Sequence, residues 1–548
     1  MNKKLTLLLL ALCTLPLLRA GAQERIYVAT DRPAYLAGDR VYCSLFCVNE
    51  KGEMSPFSAV SYLELISTDG TAAEAKIGLF AGRGAGSFLI PAGTPTGNYL
   101  LMAYTAGSGP DPKGTRLLSV FNASSTARVK DGVNIVPKEE WKGTEWPEND
   151  DSDLQLSIPQ LAKAGSKVQL TVNAPAGSDL VISVSHDDGL GQDDGLSLAA
   201  FQDFTKAAPL SRKGEYEGEI ILAQVEGLDR ASLQGQDQVT AFLSSAGDPS
   251  NVYIGRSDAD GQIRFFTSNI YGNRELVCEV VSMSGRSCHI SFSSPFLHPD
   301  VGSIPPLSLS FAQQDALEAR KVALKAEASL ESVDTLLRFL PRREDMLLAG
   351  VPRIRYHLDD YTRFPTVREI CTEFIPELQF IRRDGRWRIR MGAEDATASR
   401  KFQLDNILVL MDGVVLTDHG MLEDFDAMLL EDVDIYRQMI TLGEVSYNGV
   451  VNFVSKKNYV TALHFPENVR VVDYMGVSYP VAYTGEILPK GEDKRQLLYW
   501  HPALEIDKSG TCSVPLSLPS YRGTFRITAE GWTSDGKPIS ASVRFNTY

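Results

Sequence analysis

The stretch from Asn406 to Lys457 limits this chain more than any other, because short apolar runs and tight-turn residues follow one another there in the order of a small α+β unit. Ile407 to Met411 forms an apolar run that stops at Asp412-Gly413, a pair that tolerates positive φ and so suits a tight turn. Val414 to Leu416 follows as a second short strand. Met421, Leu422, Phe425, Met428 and Leu429 recur at spacings of three and four, which predicts a helix of about three turns. Asp432 to Tyr436 alternates like a half-buried strand, and Gly449 to Lys456 reads as the closing one.

The residues upstream belong with this unit. Thr366 and Glu369 form a capping box after Pro365, and Val367, Ile370, Cys371 and Phe374 give one apolar stripe that ends before Pro376. Phe380 to Arg390 then supplies a hairpin around Asp384-Gly385. Three pieces carry a resemblance: the strand ending in Asp412-Gly413, the Val433-Asp434-Ile435-Tyr436 strand, and Tyr447-Asn448-Gly449-Val450-Val451-Asn452-Phe453-Val454-Ser455-Lys456. Together they resemble the plug domain of TonB-dependent outer-membrane receptors. The resemblance implies a docking role for residues 353 to 457, with Asp412, Gly413, Tyr436, Tyr447 and Gly449 as its motif. A receptor barrel takes at least eight membrane strands of roughly ten residues each, and about 22 in transporters. Residues 458 to 548 are too few for a transporter barrel and show no lipid-facing alternation, so the expectation is a plug-like domain without a barrel of its own.

At the N-terminus, Lys3 and Lys4, the apolar run Leu5 to Leu18 and Ala20-Gly21-Ala22 read as a secretory signal with the mature chain starting near Gln23. The run of about 14 residues falls short of the roughly 20 that a membrane span needs. Leu12 stands before Cys13 where a lipoprotein signal wants a small residue, which argues against lipidation there. From Gln23 to Ala127 short strands alternate with turns. Thr30-Asp31-Arg32-Pro33-Ala34-Tyr35, then Ala37-Gly38-Asp39-Arg40-Val41, leads into a strand with Val41, Cys43, Leu45 and Cys47 on one face, and Pro95 to Tyr104 supplies a later turn and strand. This run is similar to the macroglobulin-type domain of the α2-macroglobulin superfamily, with Ala37 where that family prefers proline. The combination of the two resembled domains is similar to that of a Bacteroidetes-type envelope protein.

Two echoes extend the β pattern. Ala164-Gly165-Ser166-Lys167-Val168 answers Ala37 to Val41, and Gly523 to Ala529 answers Gly97 to Ala103. The expected fold class is mainly β: tandem Ig-like or macroglobulin-like β-sandwiches with an inserted α+β plug-like domain and a helical linker. Sandwiches are expected over 23–127, 154–208, 216–300 and 459–548, with an acidic linker over 128–153. The third contains turn signals at Asp260-Gly261 and Ser284-Gly285. A helical segment over 311–345 rests on the Ala-rich run Ala312 to Ala328 and on Val333, Leu336, Leu337 and Leu340 at helical spacing.

Charge and motifs narrow the function. The net charge of −15 argues against nucleic acid and anionic membrane surfaces as partners. The seven histidines are scattered without metal-ligand spacing. There is no Gly-x-Ser-x-Gly elbow, no Walker loop and no Cys-Gly-Glu-Gln thioester. Asp187-Asp188-Gly189 and Asp193-Asp194-Gly195 offer clustered carboxylates, but not at EF-hand spacing, and read as solvated turns rather than a calcium site. Cys278 and Cys288 flank a turn and are the pair to test for a disulfide, while Cys43 and Cys47, about 13 Å apart along one strand, cannot join. The expectation is a non-enzymatic exported envelope protein with no cofactor, no catalytic or metal residues and no membrane-spanning segment in the mature chain. Its partners are expected to be envelope proteins, an outer-membrane barrel among them. A protease-interacting protein without a thioester and a surface adhesin or carbohydrate-binding module stand as alternatives.

Overall fold

In a computed structural model the described residues are 23–124, 132–141, 153–192, 198, 201, 214–234, 238–246, 251–268, 270–331, 337–338, 352–392, 403–404, 406–443, 445–457, 463–485 and 492–548. The expected signal sequence, most of the expected acidic linker and Asp193-Asp194 lie outside them. The chain divides into two compact units, one of residues 1–216, 298–339 and 479–548 and the other of 217–297 and 340–478. Both are built mainly from β-sheet.

The first unit opens with an eight-stranded array. Its order is Arg25–Thr30, Arg40–Val48, Arg83–Leu89, Gly70–Phe80, Val60–Ser67, Gly97–Tyr104, Arg116–Phe121 and Ala34–Leu36. Val41, Cys43, Leu45 and Cys47 point into its core with Ile77, Phe88 and Leu101, as their alternation requires. The Thr-Asp-Arg-Pro-Ala-Tyr run is explained by its hydrogen bonds. The Asp31 carboxylate accepts from Tyr35 Oη at 2.8 Å, from the Tyr42 N–H at 2.9 Å and from Arg32 Nε at 2.9 Å, which ties the turn to the following strand.

The second sandwich corrects the linear reading. Segments 154–208 and 459–548 do not form separate domains; they interleave. Lys167–Asn173 pairs antiparallel with Thr511–Ser517, and Asp179–His186 lies between Leu497–Glu505 and Thr524–Trp532. The strands of 154–186 are too few to cover both faces of a core, so the partners come from the far end of the chain. Leu170, Ile182, Val514, Phe525 and Phe545 share the resulting core. In the same unit a helix, Gln314–Glu331, follows a capping box between Ser310 and Gln313. The helical expectation for 333–340 falls mostly outside the described residues, and Leu337–Arg338 is a short strand paired with Val481–Ala482.

The second unit holds a further sandwich. One sheet is Gln262–Phe266, Ile220–Glu226 and His289–Phe292; the other is Asn251–Arg256, Val239–Ser245, Asn273–Ser282 and Val469–Met475. Val469–Met475, expected in the C-terminal domain, thus completes this one. Cys278 and Cys288 are both buried in its core as free thiols.

Beside it stands the α+β layer. Its sheet runs Ile354–His357, Leu430–Tyr436, Val450–Ser455, Leu408–Met411 and Val414–Val415. Val451 is opposite Val409 on one side and Ile435 on the other. Alternate residues go to opposite cores: Val409, Met411, Val433, Ile435 and Phe453 pack under the helix Val367–Glu373, whereas Leu408, Leu410, Tyr436 and Val450 pack against Phe242 and Val252 of the sandwich. A strand covered on both faces reads as a continuous apolar run, which is why this stretch stands out in sequence.

The three-turn helix expected over Met421 to Leu429 is absent. Two 3-10 turns, His419–Leu422 and Ala427–Leu429, take its place. Asp418 and Asp426 each cap a new turn by accepting from the N–H of Gly420 and Met428, so the apolar spacing is kept while the helix is broken.

Candidate functional site

The residues singled out by motif prove to be internal supports. Asp412 and Gly413 take φ of 49° and 80°, the positive values of a two-residue hairpin turn. The Asp412 carboxylate accepts from Ser455 N–H and Ser455 Oγ, and the Gly413 N–H donates to Asn452 Oδ1 at 3.0 Å. Tyr436 and Tyr447 are only 5% and 7% exposed, packed with Phe242, Val252 and Leu408. Gly449 is required by close approach, since a Cβ there would lie 2.9 Å from the Tyr436 carbonyl oxygen. The expected docking motif is therefore corrected: within its own unit the two rings are already covered.

The same unit presents a different surface. The antiparallel hairpin Leu378–Arg383 and Arg386–Gly392 turns at Asp384-Gly385, with φ of 51° and 78°. Its pleat puts Leu378, Ile389 and Met391 into the core with the capped helix. On the other face the opposed pairs are Gln379 with Arg390, Ile381 with Arg388, and Arg383 with Arg386. Arg383 and Arg386 are exposed, and Arg388 and Arg390 are partly so. Arg388 Nη1 donates to the Thr417 carbonyl at 2.6 Å, which fixes one guanidinium. On the core-side edge, Arg368 and Arg382 approach the Trp387 ring at 5.8 and 5.9 Å from its centroid.

Like charges set directly across a strand pair destabilise it, and this hairpin places Arg383 opposite Arg386 in a chain of net charge −15, with the exposed Asp384 carboxylate at the turn 4.0 Å from Arg383 Nε. Arginine presents a planar fork of donors that matches carboxylates in pairs and sheds water more readily than lysine. The face is therefore suited to an acidic surface. Its sequence signal is the alternation Arg386-x-Arg388-x-Arg390, which in a strand puts all three on one side.

Elsewhere the titratable groups are held in ways that suit structure. Burial pushes up the thiols of Cys43, Cys47, Cys278, Cys288, Cys371 and Cys512, the reverse of what a nucleophilic cysteine needs. His419 Nδ1 accepts the Ile389 N–H at 2.8 Å, and burial pushes its pKa down to about 4. Asp187 and Asp188 are not the solvated turn expected of them, because arginines engage both: Arg544 Nε lies 2.7 Å from Asp187, and Arg320 binds Asp188 through two nitrogens at 2.5 and 3.0 Å.

Among the described residues, no helix is long and apolar enough to cross a membrane. No family model matches the chain, and no curated protein matches it. Solved structures of α2-macroglobulin from Salmonella, reacted with methylamine, and from Escherichia coli, activated by trypsin, are similar to it at 9% identity, with TM-scores of 0.25 and 0.24. These alignments cover 96% of this chain and 40% and 41% of those chains, so the chain spans less than half their length. The Yersinia pseudotuberculosis adhesin InvE aligns over 49% of this chain and 57% of its own at 13% identity and a TM-score of 0.14. TM-scores of this size carry no functional inference.

Proposed function

We propose that this chain is an exported, non-catalytic binding protein of a Gram-negative cell envelope, in which β-sandwiches support an α+β layer that docks an acidic envelope protein. The layer keeps the capped helix, the hairpin and the Asp-Gly strand of the expected plug-like unit, with two 3-10 turns where its second helix was expected, and its docking face is the arginine side of the hairpin Leu378–Arg383 and Arg386–Gly392. The row of Arg383, Arg386, Arg388 and Arg390 on one hairpin face carries this reading, because a surface rich in guanidinium groups is complementary to a carboxylate-bearing partner. The motif residues Asp412, Gly413, Tyr436, Tyr447 and Gly449 hold the layer in shape and act in docking only through the rigidity they confer.

The test is crosslinking in intact cells from a photoreactive residue at Gln379, which is exposed and shares the arginine face. A discrete adduct with an envelope protein is expected, and it should weaken as salt is raised, since exposed charge pairs are screened beyond about 8 Å at physiological ionic strength.

A further inference from the structure

In the first sandwich the strands Val60–Ser67 and Gly70–Phe80 set Glu64 directly opposite Glu74. Two carboxylates across a strand pair repel each other unless something positive lies between them. The chain at His298 supplies part of that. Its N–H donates to both oxygens of Glu64 at 3.2 and 3.1 Å, which fixes the residue over the pair. Its Nδ1 stands 3.5 Å from Glu64 Oε2 and 3.5 Å from Glu74 Oε1.

These distances are long for hydrogen bonds, which for N–H···O cluster near ~2.9–3.0 Å, and Nδ1 has a nearer hydrogen-bonding neighbour in Thr71 Oγ1 at 3.3 Å, the hydroxyl that also reaches Glu64. They match the separation of two ligands on one metal ion. Bonds of ~2.0–2.2 Å from zinc to nitrogen and oxygen, at tetrahedral angles, put ligand atoms ~3.4 Å apart. One ligand atom from each of Glu64, Glu74 and His298 lies within 4.8 Å of the others.

The surroundings suit such a centre. Glu64 is fully buried and held by Tyr104 Oη on Oε1 and by Thr71 Oγ1 at 3.1 Å on Oε2, the kind of outer support that orients a ligating carboxylate. Glu74 and His298 are more open, with side-chain exposures of 27% and 51%, so the cluster is reached from solvent. We infer that Glu64, Glu74 and His298 form a binding site for one Zn2+ ion, which ties the chain at His298 to the first sandwich. Imidazole nitrogen with carboxylate oxygen is a borderline donor set that favours zinc over magnesium or calcium.

The test uses the full mature chain, stripped with a chelator and titrated with ZnCl2 by calorimetry in excess Mg2+. One Zn2+ per chain is expected. His298→Gly, chosen because His298 has a φ of 47° that glycine adopts without strain, and Glu74→Gln should each weaken binding by more than about tenfold while circular dichroism stays unchanged. Co2+ substitution should give a spectrum of nitrogen and oxygen ligands. Absence of stoichiometric binding overturns the site, as does binding that both variants retain. Thiolate-to-cobalt charge-transfer bands also overturn it, because they would place the metal on cysteines.

Discussion

Asp412 and Ser455 are joined twice: the carboxylate accepts the Ser455 N–H at 2.7 Å and the Ser455 hydroxyl at 2.7 Å, so a turn at the end of one strand is fixed to the end of its parallel neighbour. Asp412→Ala removes both bonds and puts a Cβ residue without a turn-stabilising side chain at φ 49°. It should cost about 2–4 kcal/mol in denaturant unfolding. Asp412→Asn, which tolerates positive φ and keeps one acceptor, should cost less than half of that. Equal losses in the two variants would show that the turn is not held by this side chain.

The capping box on the helix Val367–Glu373 is reciprocal, with the Glu369 N–H donating to Thr366 Oγ1 at 3.3 Å and the Thr366 N–H to Glu369 Oε2 at 3.1 Å. Thr366→Ala should destabilise the protein by about 1 kcal/mol, read from the shift in urea midpoint, and Thr366→Ser by a few tenths.

Arg320 and Asp188 are both nearly inaccessible, at 4% and 5% side-chain exposure. Arg320→Ala leaves a buried carboxylate without its counterion, and the expected loss is about 3–5 kcal/mol. Adding Ca2+ should leave the thermal midpoint of the Arg320→Ala variant unchanged. Rescue by Ca2+ would mean that Asp187 and Asp188 are ion ligands after all.

His419 gives the fold a dependence on pH with a defined sign. Its folded pKa of about 4 lies below the ordinary value of 6.5, so between these values the unfolded state binds more protons than the folded one. The stabilisation is complete above pH 6.5 and is lost as the pH falls towards 4. The contribution is about 3 kcal/mol over that window. The measurement is the difference in unfolding free energy between the native sequence and His419→Asn at pH 7.5, 5.5 and 4.5, values chosen to span about two pH units. The stability advantage of the native sequence should shrink steadily across the three.

Local signals in the sequence translated well into structure, and long-range ones did not. Asp412-Gly413, Asp384-Gly385 and the Thr366 capping box are set by chemistry within a few residues, and each appears where the residues put it. The pairing of Lys167–Asn173 with Thr511–Ser517 spans most of the chain, and no property of either strand names its partner. The helix expected over Met421 to Leu429 does not form for a local reason: Asp418 and Asp426 each cap a separate 3-10 turn, and apolar spacing alone does not register that break. Tyr436 lies in the twice-covered sheet and Tyr447 in the separate short hairpin Ile440–Leu442 and Val445–Tyr447, and both rings are core residues packed with Phe242 and Val252. The arginine face was present in the sequence as a strand-period repeat of charge.

Protease challenge of the purified chain separates the binding reading from a protease-interacting one: no stable protease complex is expected by mass spectrometry.

The most direct measurement of the docking account is the Gln379 photo-crosslinking experiment in intact cells, run on the native sequence and on an Arg383→Glu/Arg386→Glu chain whose folding is verified by circular dichroism. The account predicts one discrete adduct with an envelope protein in the native sequence, reduced by more than about tenfold in the charge-reversed chain, since like-charge contacts at an interface suppress pairing by several kcal/mol. An adduct of equal yield in both chains, or none in the native sequence, would contradict it.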